Sequence, residues 1–306
     1  MLTYCYVKRF SHTVFICDVR TSSFPSHRRS DISLVWFFSG ASYIYRIYKK
    51  LQGAVYCPIM TYHSIADDEN RYLNVKKNEF IRQINYLKNN FNIISINQLV
   101  EFIQDKKMPP RNSAIVVFDD GYKDNIILKE ASIPATVFLA TDYIGKENYF
   151  DCLAGWPNKK MLSWDDILEL KSAGCDFGSH ACSHSFLSSL ESSAITEELR
   201  NSKSIIEEQV MIAVSGLAYP GGKRDNFDDR TIKATKEAGY KYACSTIWST
   251  YNSVNNLFAL RRISINYEDD LLDFKLKLRG WYDWISFAQN MKYYVRKIMS
   301  VCFSPV

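Results

Sequence analysis

From about residue 54 onward, short apolar runs recur at residues 55–62, 93–96, 114–118, 135–140, 175–178, 214–219, 242–246 and 260–265. They are rich in β-branched and aromatic residues and bounded by polar residues, Gly or Pro, as buried strands are. Between them, apolar positions return every three to four residues. Phe80, Ile84 and Leu87 follow that spacing, as do Ile167, Leu168, Leu170 and Lys171. Residues 195–210 and 228–238 read the same way, and each such stripe predicts an amphipathic helix. Gly239 stands where the last of these would take a left-handed cap. Repeated strand–helix alternation predicts a parallel α/β architecture, and seven or eight strands suit a barrel as much as an open sheet. With no internal repeat and no Pro/Ser-rich linker, one catalytic domain is expected over residues 54–280, with extensions at 1–53 and 281–306.

The extensions have another character. Residues 34–48 are apolar and aromatic, with Arg28 and Arg29 before them and Arg46, Lys49 and Lys50 at their end. Residues 280–300 combine Trp281, Tyr282, Trp284, Ile285 and Phe287 with Lys292, Arg296 and Lys297. Either segment suits a basic aromatic helix at a membrane surface, or a helix packed across the domain. Neither approaches the roughly 18 uninterrupted apolar residues of a clean spanning helix.

Composition sharpens this only when located. The chain has 306 residues, 47% of them apolar, enough to bury a sizeable core. Its net charge of +5 divides into +6 for residues 1–53 and +2 for 281–306, leaving −3 for 54–280. A nucleic-acid enzyme concentrates basic charge around its working centre, so no nucleic-acid partner is expected. The eight cysteines form no C-x-x-C pair, and reduced, mostly buried thiols are expected. The N-terminus lacks the pattern of a secretory signal, which predicts a location in the cytoplasm or peripheral to the cytoplasmic membrane.

Candidate chemistry sits at the strand ends. Of five histidines, His63, His180 and His184 follow predicted strands, and Asp119 and Asp120 follow the run 114–118. Loops after parallel strands share one face of a barrel, so these residues can converge. His180 and His184 read as one helical turn apart, close enough to hold one cation. Adjacent Asp119 and Asp120 must point apart on an extended chain. One can complete a two-histidine, one-carboxylate site while the other takes a proton from a water acidified by the metal. His63 can then protonate a leaving group.

These residues resemble the polysaccharide deacetylase family, the NodB-homology domain of carbohydrate esterase family 4. Phe118-Asp119-Asp120-Gly121-Tyr122 is similar to its first motif, T-F-D-D-G, with Val117 at the usual Thr. Ser179-His180-Ala181-Cys182-Ser183-His184 is similar to its second, with both histidines at the family separation. Ala218-Tyr219-Pro220-Gly221-Gly222 resembles the Y-P-x-G form of the third. Met60-Thr61-Tyr62-His63-Ser64-Ile65 resembles the Y-H-x-I opening of the subgroup with permuted motif order. The resemblance runs from about residue 55 to 280, including residues 135–139 and 161–164.

The resemblance implies a distorted (β/α)7 TIM-like barrel and metal-dependent hydrolysis of N- or O-acetyl groups on a sugar polymer or a lipid-linked oligosaccharide. It implies that Asp120, His180 and His184 hold a divalent ion, Zn2+ first among the candidates. Asp119 would then be the general base and His63 the general acid, in place of the absent C-terminal L-x-H motif. The Tyr219 N–H would help stabilise the oxyanion, and Tyr219, Pro220 and Trp164 would line the acetyl-sugar pocket, unless the aromatics simply belong to the core. Two departures stand out. Ser215 occupies the place of the third motif's Arg, so Arg261 or Arg262 would have to orient the base. The D-x-x-D-W-type motif is missing. The competing readings are an inactive glycan-binding module on the same barrel and a metallohydrolase of a non-sugar amide. Intact Asp119, Asp120, His180 and His184 argue against the inactive module.

Overall fold

The computed structural model describes residues 26–67, 73–153 and 155–302. The first 25 residues of the N-terminal extension, with His12, Cys5 and Cys17, lie outside them. The described chain opens with helices α1 (Ser26–Phe38) and α2 (Ala41–Leu51), then strands β1 (Val55–Tyr56), β2 (Ile59–Tyr62), β3 (Ser64–Ile65) and β4 (Asn74–Val75). The alternation follows as α3 (Lys77–Asn90), β5 (Asn92–Ile93), α4 (Ile96–Gln104), β6 (Ser113–Phe118), α5 (Leu128–Ala131), β7 (Thr136–Leu139), α6 (Phe150–Leu153), α7 (Trp164–Ser172) and β8 (Asp176–Ser179). Next come α8 (Ser192–Val210), β9 (Gly216–Ala218), α9 (Asp229–Glu237), β10 (Tyr242–Cys244), β11 (Tyr251–Asn252), β12 (Ile263–Ser264), α10 (Leu271–Leu278) and α11 (Ile285–Cys302).

Seven strands make one parallel sheet in the order β10-β9-β8-β7-β6-β2-β12, and β5 pairs with the start of β6. The sheet curls until its edges meet. Cys244 and Leu260 form a parallel bridge, reinforced by Ser245 N–H to Leu260 O at 2.8 Å and Leu260 N–H to Ala243 O at 2.8 Å. The architecture is the expected distorted barrel.

Every residue of β6 is buried, because both of its faces are covered. Val116 and Phe118 pack outward on the main core with Phe80, Ile84 and Leu87 of α3, whereas Ile115 and Val117 fill a second cluster with Phe138 and Tyr242. Helix α4 lays Ile96, Leu99, Val100 and Ile103 onto that second cluster.

Three local expectations change. The run 55–62 is two strands: Pro58 has no N–H, its carbonyl accepts from Ile115, and β1 turns to pair antiparallel with β11. The run 93–96 ends as a strand at Ile93, since Ser95 and Gln98 form a reciprocal capping box that starts α4. The third change concerns the histidine pair. Residues 180–184 are not helical; Ala181 and His184 have left-handed backbones, with φ of 62° and 59°. Among the described residues, Cys57, Cys175, Cys182 and Cys244 are buried, Cys152 is exposed, and none is disulfide-bonded.

Candidate active site

The site stands at the carboxyl ends of β2, β6, β8 and β9, with one residue supplied from just before β12. β6 delivers Asp119 and Asp120 in succession, and they diverge. Asp119 keeps its strand pairing, its N–H donating to Tyr62 O at 2.9 Å. Asp120 turns left-handed at φ 74°, an uncommon conformation for a side-chain-bearing residue and one that concentrates at functional sites. Gly121 follows at φ 85°, and a Cβ there would lie 2.9 Å from Leu139 Cδ2. That glycine lets the turn sit tightly against β7.

Asp120 Oδ1 lies 3.2 Å from His180 Nε2 and 3.2 Å from His184 Nε2. The three ligand atoms gather within 4.8 Å of one another, the carboxylate and His180 buried and His184 half-buried. The imidazoles are aimed by their surroundings. His180 Nδ1 lies 2.6 Å from Ala218 O, which fixes the proton on Nδ1 and turns the Nε2 lone pair towards Asp120. His184 stacks on Phe150 at 4.0 Å. The loop between them is held by Glu198, whose Oε2 accepts from the N–H groups of Cys182 and Ser183 at 2.8 and 2.9 Å. Asp120 Oδ1 is a buried carboxylate oxygen with no hydrogen-bond donor. A buried anion facing two imidazole lone pairs is stable only with a cation between them. This residue set therefore fits a divalent ion with nitrogen and oxygen ligands.

Asp119 faces a different partner. Arg262 grips it in a two-pronged ion pair, Nη1 to Oδ1 and Nη2 to Oδ2, each at 2.7 Å, and both side chains are buried. Arg262 Nε donates to Ser245 O at 2.9 Å, which holds the guanidinium plane. Of the two arginines expected to replace the missing motif residue, Arg262 occupies the place, while Arg261 uses its backbone to bond Asn252. Burial by itself raises the Asp119 carboxyl, but Arg262 and His180 outweigh it and hold the group below the usual carboxylate range.

His63 Nε2 lies 3.9 Å from Asp119 Oδ2, and its Nδ1 is buried without a hydrogen-bond partner. Its carbonyl accepts from Asn125 Nδ2 at 2.7 Å, and the next residue, Ser64, is tied to Asp124. Burial lowers the His63 pKa, opposed by Asp120 and Asp119.

The Tyr219 backbone does not take the place expected of it. The Tyr219 N–H is already donated to Cys244 O at 3.1 Å in the sheet, so it is not open to an oxyanion. The Tyr219 ring is buried, stacks on Phe227 at 4.4 Å, and sends its hydroxyl to Phe258 O at 3.0 Å. Pro220 is buried at the start of the turn made by Gly221 and Gly222. Trp164 begins α7 half-buried against the main core. Both aromatics thus pack as core residues. Phe150, Glu198 and Asn125 were not anticipated. Their roles depend on a loop and two helices reaching the strand ends, and none has a motif to mark it.

Comparison with known proteins finds the same resemblance. The family model for polysaccharide deacetylase matches residues 106–243. Over that span the chain is similar to the polysaccharide deacetylases. The matched span holds Asp119, Asp120, His180 and His184, whereas His63 and Arg262 lie on either side of it. Among similar proteins, Bacillus subtilis YxkH, whose name places it with the polysaccharide deacetylases, is 25% identical over 215 residues, covering 68% of this chain and 71% of its own. A Staphylococcus aureus poly-β-1,6-N-acetyl-D-glucosamine N-deacetylase is 23% identical over 247 residues, covering 75% and 80%. In fold, the chain resembles the Streptococcus pyogenes deacetylase PplD solved with acetate, with a TM-score of 0.61 at 22% identity, covering 74% of this chain and 98% of that one.

Proposed function

We propose that this chain is a metal-dependent polysaccharide deacetylase and hydrolyses N-acetyl groups on N-acetylhexosamine units of a surface glycan or its lipid-linked precursor. The observation that carries the reading is the donor-less Asp120 Oδ1 between two imidazole nitrogens, beside an Asp119 kept ionised by Arg262. The sugar class is supported by the S. aureus relative, whose name gives an N-acetylglucosamine polymer as its substrate.

When bound by Asp120, His180 and His184, a divalent ion supplies Lewis acidity towards the amide carbonyl and a water of lowered pKa. Asp119, ionised and aimed by Arg262, takes a proton from the attacking water. As the amide C–N bond breaks, the departing amine takes a proton from His63. Burial holds the resting His63 imidazole neutral, so that proton must arrive during turnover. Asp119 Oδ2, 3.9 Å away, is the neighbouring group that can deliver it.

The test is acetate release from β-1,6-linked N-acetylglucosamine oligomers by purified protein, with the metal content of the same preparation. Release that stops on chelation and returns with Zn2+ supports the reading. Hydrolysis of cyclic imides with none of the glycans would move the activity to non-sugar amides.

A further inference from the structure

The helices outside the barrel turn their apolar stripes the wrong way. An amphipathic helix on a globular protein hides its apolar face and shows water its polar one. α2 buries Ser42 and Tyr45 and presents Tyr43, Ile44, Ile47, Tyr48 and Leu51 outward, with Leu51 83% exposed. α11 presents Phe287, Met291, Tyr294, Val295, Ile298 and Met299, one stripe at helical spacing and all at least half exposed. α1 adds Leu34, Val35 and Phe38. The three helices pack on one another, because Phe287 of α11 touches Trp36 of α1 at 5.8 Å and Tyr45 of α2 at 5.7 Å. Exposed apolar side chains in this number, on helices packed together, mark an interaction site.

Charge identifies the occupant. α2 carries Arg46, Lys49 and Lys50, α11 carries Lys292, Arg296 and Lys297, and neither helix has a single acid. Apolar side chains on helices that carry only basic charge match the interface of an anionic bilayer, where tails meet phosphate headgroups. Among the described residues no helix is long and apolar enough to cross a membrane, so the contact is with the surface.

We propose that α1, α2 and α11 together form a docking face for an anionic lipid bilayer. The face is rigidly joined to the catalytic end of the barrel. Gln289 of α11 accepts from Trp248 N–H at 2.9 Å and donates to Thr246 O at 3.0 Å, and Asn290 accepts from Arg224 Nε at 2.7 Å. Those partners lie in the loops after β10 and β9, at the strand ends that carry the site. Docking therefore holds the rim of the site at the lipid surface, whatever its substrate.

The experiment is co-sedimentation of the full chain with vesicles of phosphatidylcholine alone and of phosphatidylcholine mixed with phosphatidylglycerol. Binding to the mixed vesicles is expected, weakened by salt and much weaker without phosphatidylglycerol. The quadruple variant Ile44→Gln, Leu51→Gln, Val295→Gln, Ile298→Gln should bind at least about tenfold more weakly, since it removes inserted apolar area. All four side chains are exposed, and an unchanged melting curve confirms the variant's fold. Equal binding by variant and parent overturns the proposal. Absence of binding overturns it too: a dimer that the variant dissociates then assigns the face to a second copy. A monomer whose α2 and α11 resist hydrogen exchange without lipid assigns it to the chain's own first 25 residues.

Discussion

Asp120 and Leu51 are both misplaced by the ordinary rule of burial, in opposite senses: the carboxylate is 5% exposed and the leucine 83% exposed. The difference lies in what surrounds each. At the strand ends every buried charge is answered from within, Asp119 by Arg262 and Asp120 by two imidazoles and the cation they fit. On the outer helices nothing in the described chain answers the exposed stripe. A closed set of this kind describes a reaction centre, and an open one describes a surface awaiting a partner. Substitutions should therefore cost function in the first region, and leave the fold untouched in the second.

The largest effect is expected at the cluster. His180→Ala should abolish metal retention and reduce acetate release by about a thousandfold or more, because the remaining two ligands leave Asp120 buried and unanswered. Metal analysis beside turnover checks both. Asp119→Asn should keep the metal and lose comparable turnover, as an amide cannot accept the proton. Near-normal turnover in Asp119→Asn would remove the assigned base.

Arg262→Met comes next. It should destabilise by about 3–5 kcal/mol by leaving a buried carboxylate unpaired, and slow turnover by about a hundredfold. Its pH profile is the sharper readout. Arg262 helps hold the Asp119 carboxyl low, so parent activity persists to acid pH and fails only as Asp119 protonates. Without the guanidinium that acid limb must move to higher pH, and Arg262→Lys should recover part of the shift. The pair's contribution to stability has the same sign: it is present above the ordinary Asp pKa and lost as pH falls through the depressed one.

Asp283 marks the seam between the two regions, accepting from Thr250 N–H at 2.8 Å and its hydroxyl at 2.7 Å. Burial raises its carboxyl from 3.8 to about 6. The sign here is reversed. The folded state favours the protonated form, so ionisation costs stability as pH rises from about 4 to 6, by up to about 3 kcal/mol. Melting of the parent against Asp283→Asn across that range should show the difference opening in the variant's favour. The smallest effect belongs to Leu51→Gln, which should change stability by no more than about 0.5 kcal/mol. A large loss there would mean that the outer stripe is packed.

Much of this was legible in the chain. β6 read as a strand because residues 114–118 form an unbroken apolar run rich in β-branched residues, and the barrel followed from runs of that kind. The cluster could be found because Asp119, Asp120, His180 and His184 fall directly after strands. The shape of the histidine loop could not, since its separation imitates a helical turn while Ala181 and His184 are left-handed. Tyr219 looked like a site residue because its neighbours form a turn motif, but hydrogen bonding within the sheet had already claimed its N–H. Arg262 could only be narrowed to a pair, because which of two adjacent side chains points inward depends on register with β2.

The seam between β10 and β12 also sets an order of assembly. Arg262 arrives 143 residues after the aspartate it grips, immediately before the last strand of the ring. A chain emerging from the ribosome has Asp119, Asp120, His180 and His184 by residue 184 but stays without the guanidinium until that last strand is made and seated. Domains form progressively during synthesis. The barrel's closing stroke is thus also the step that gives the Asp119 carboxylate its counter-ion, and a chain that ends before Arg262 leaves that carboxylate unpaired.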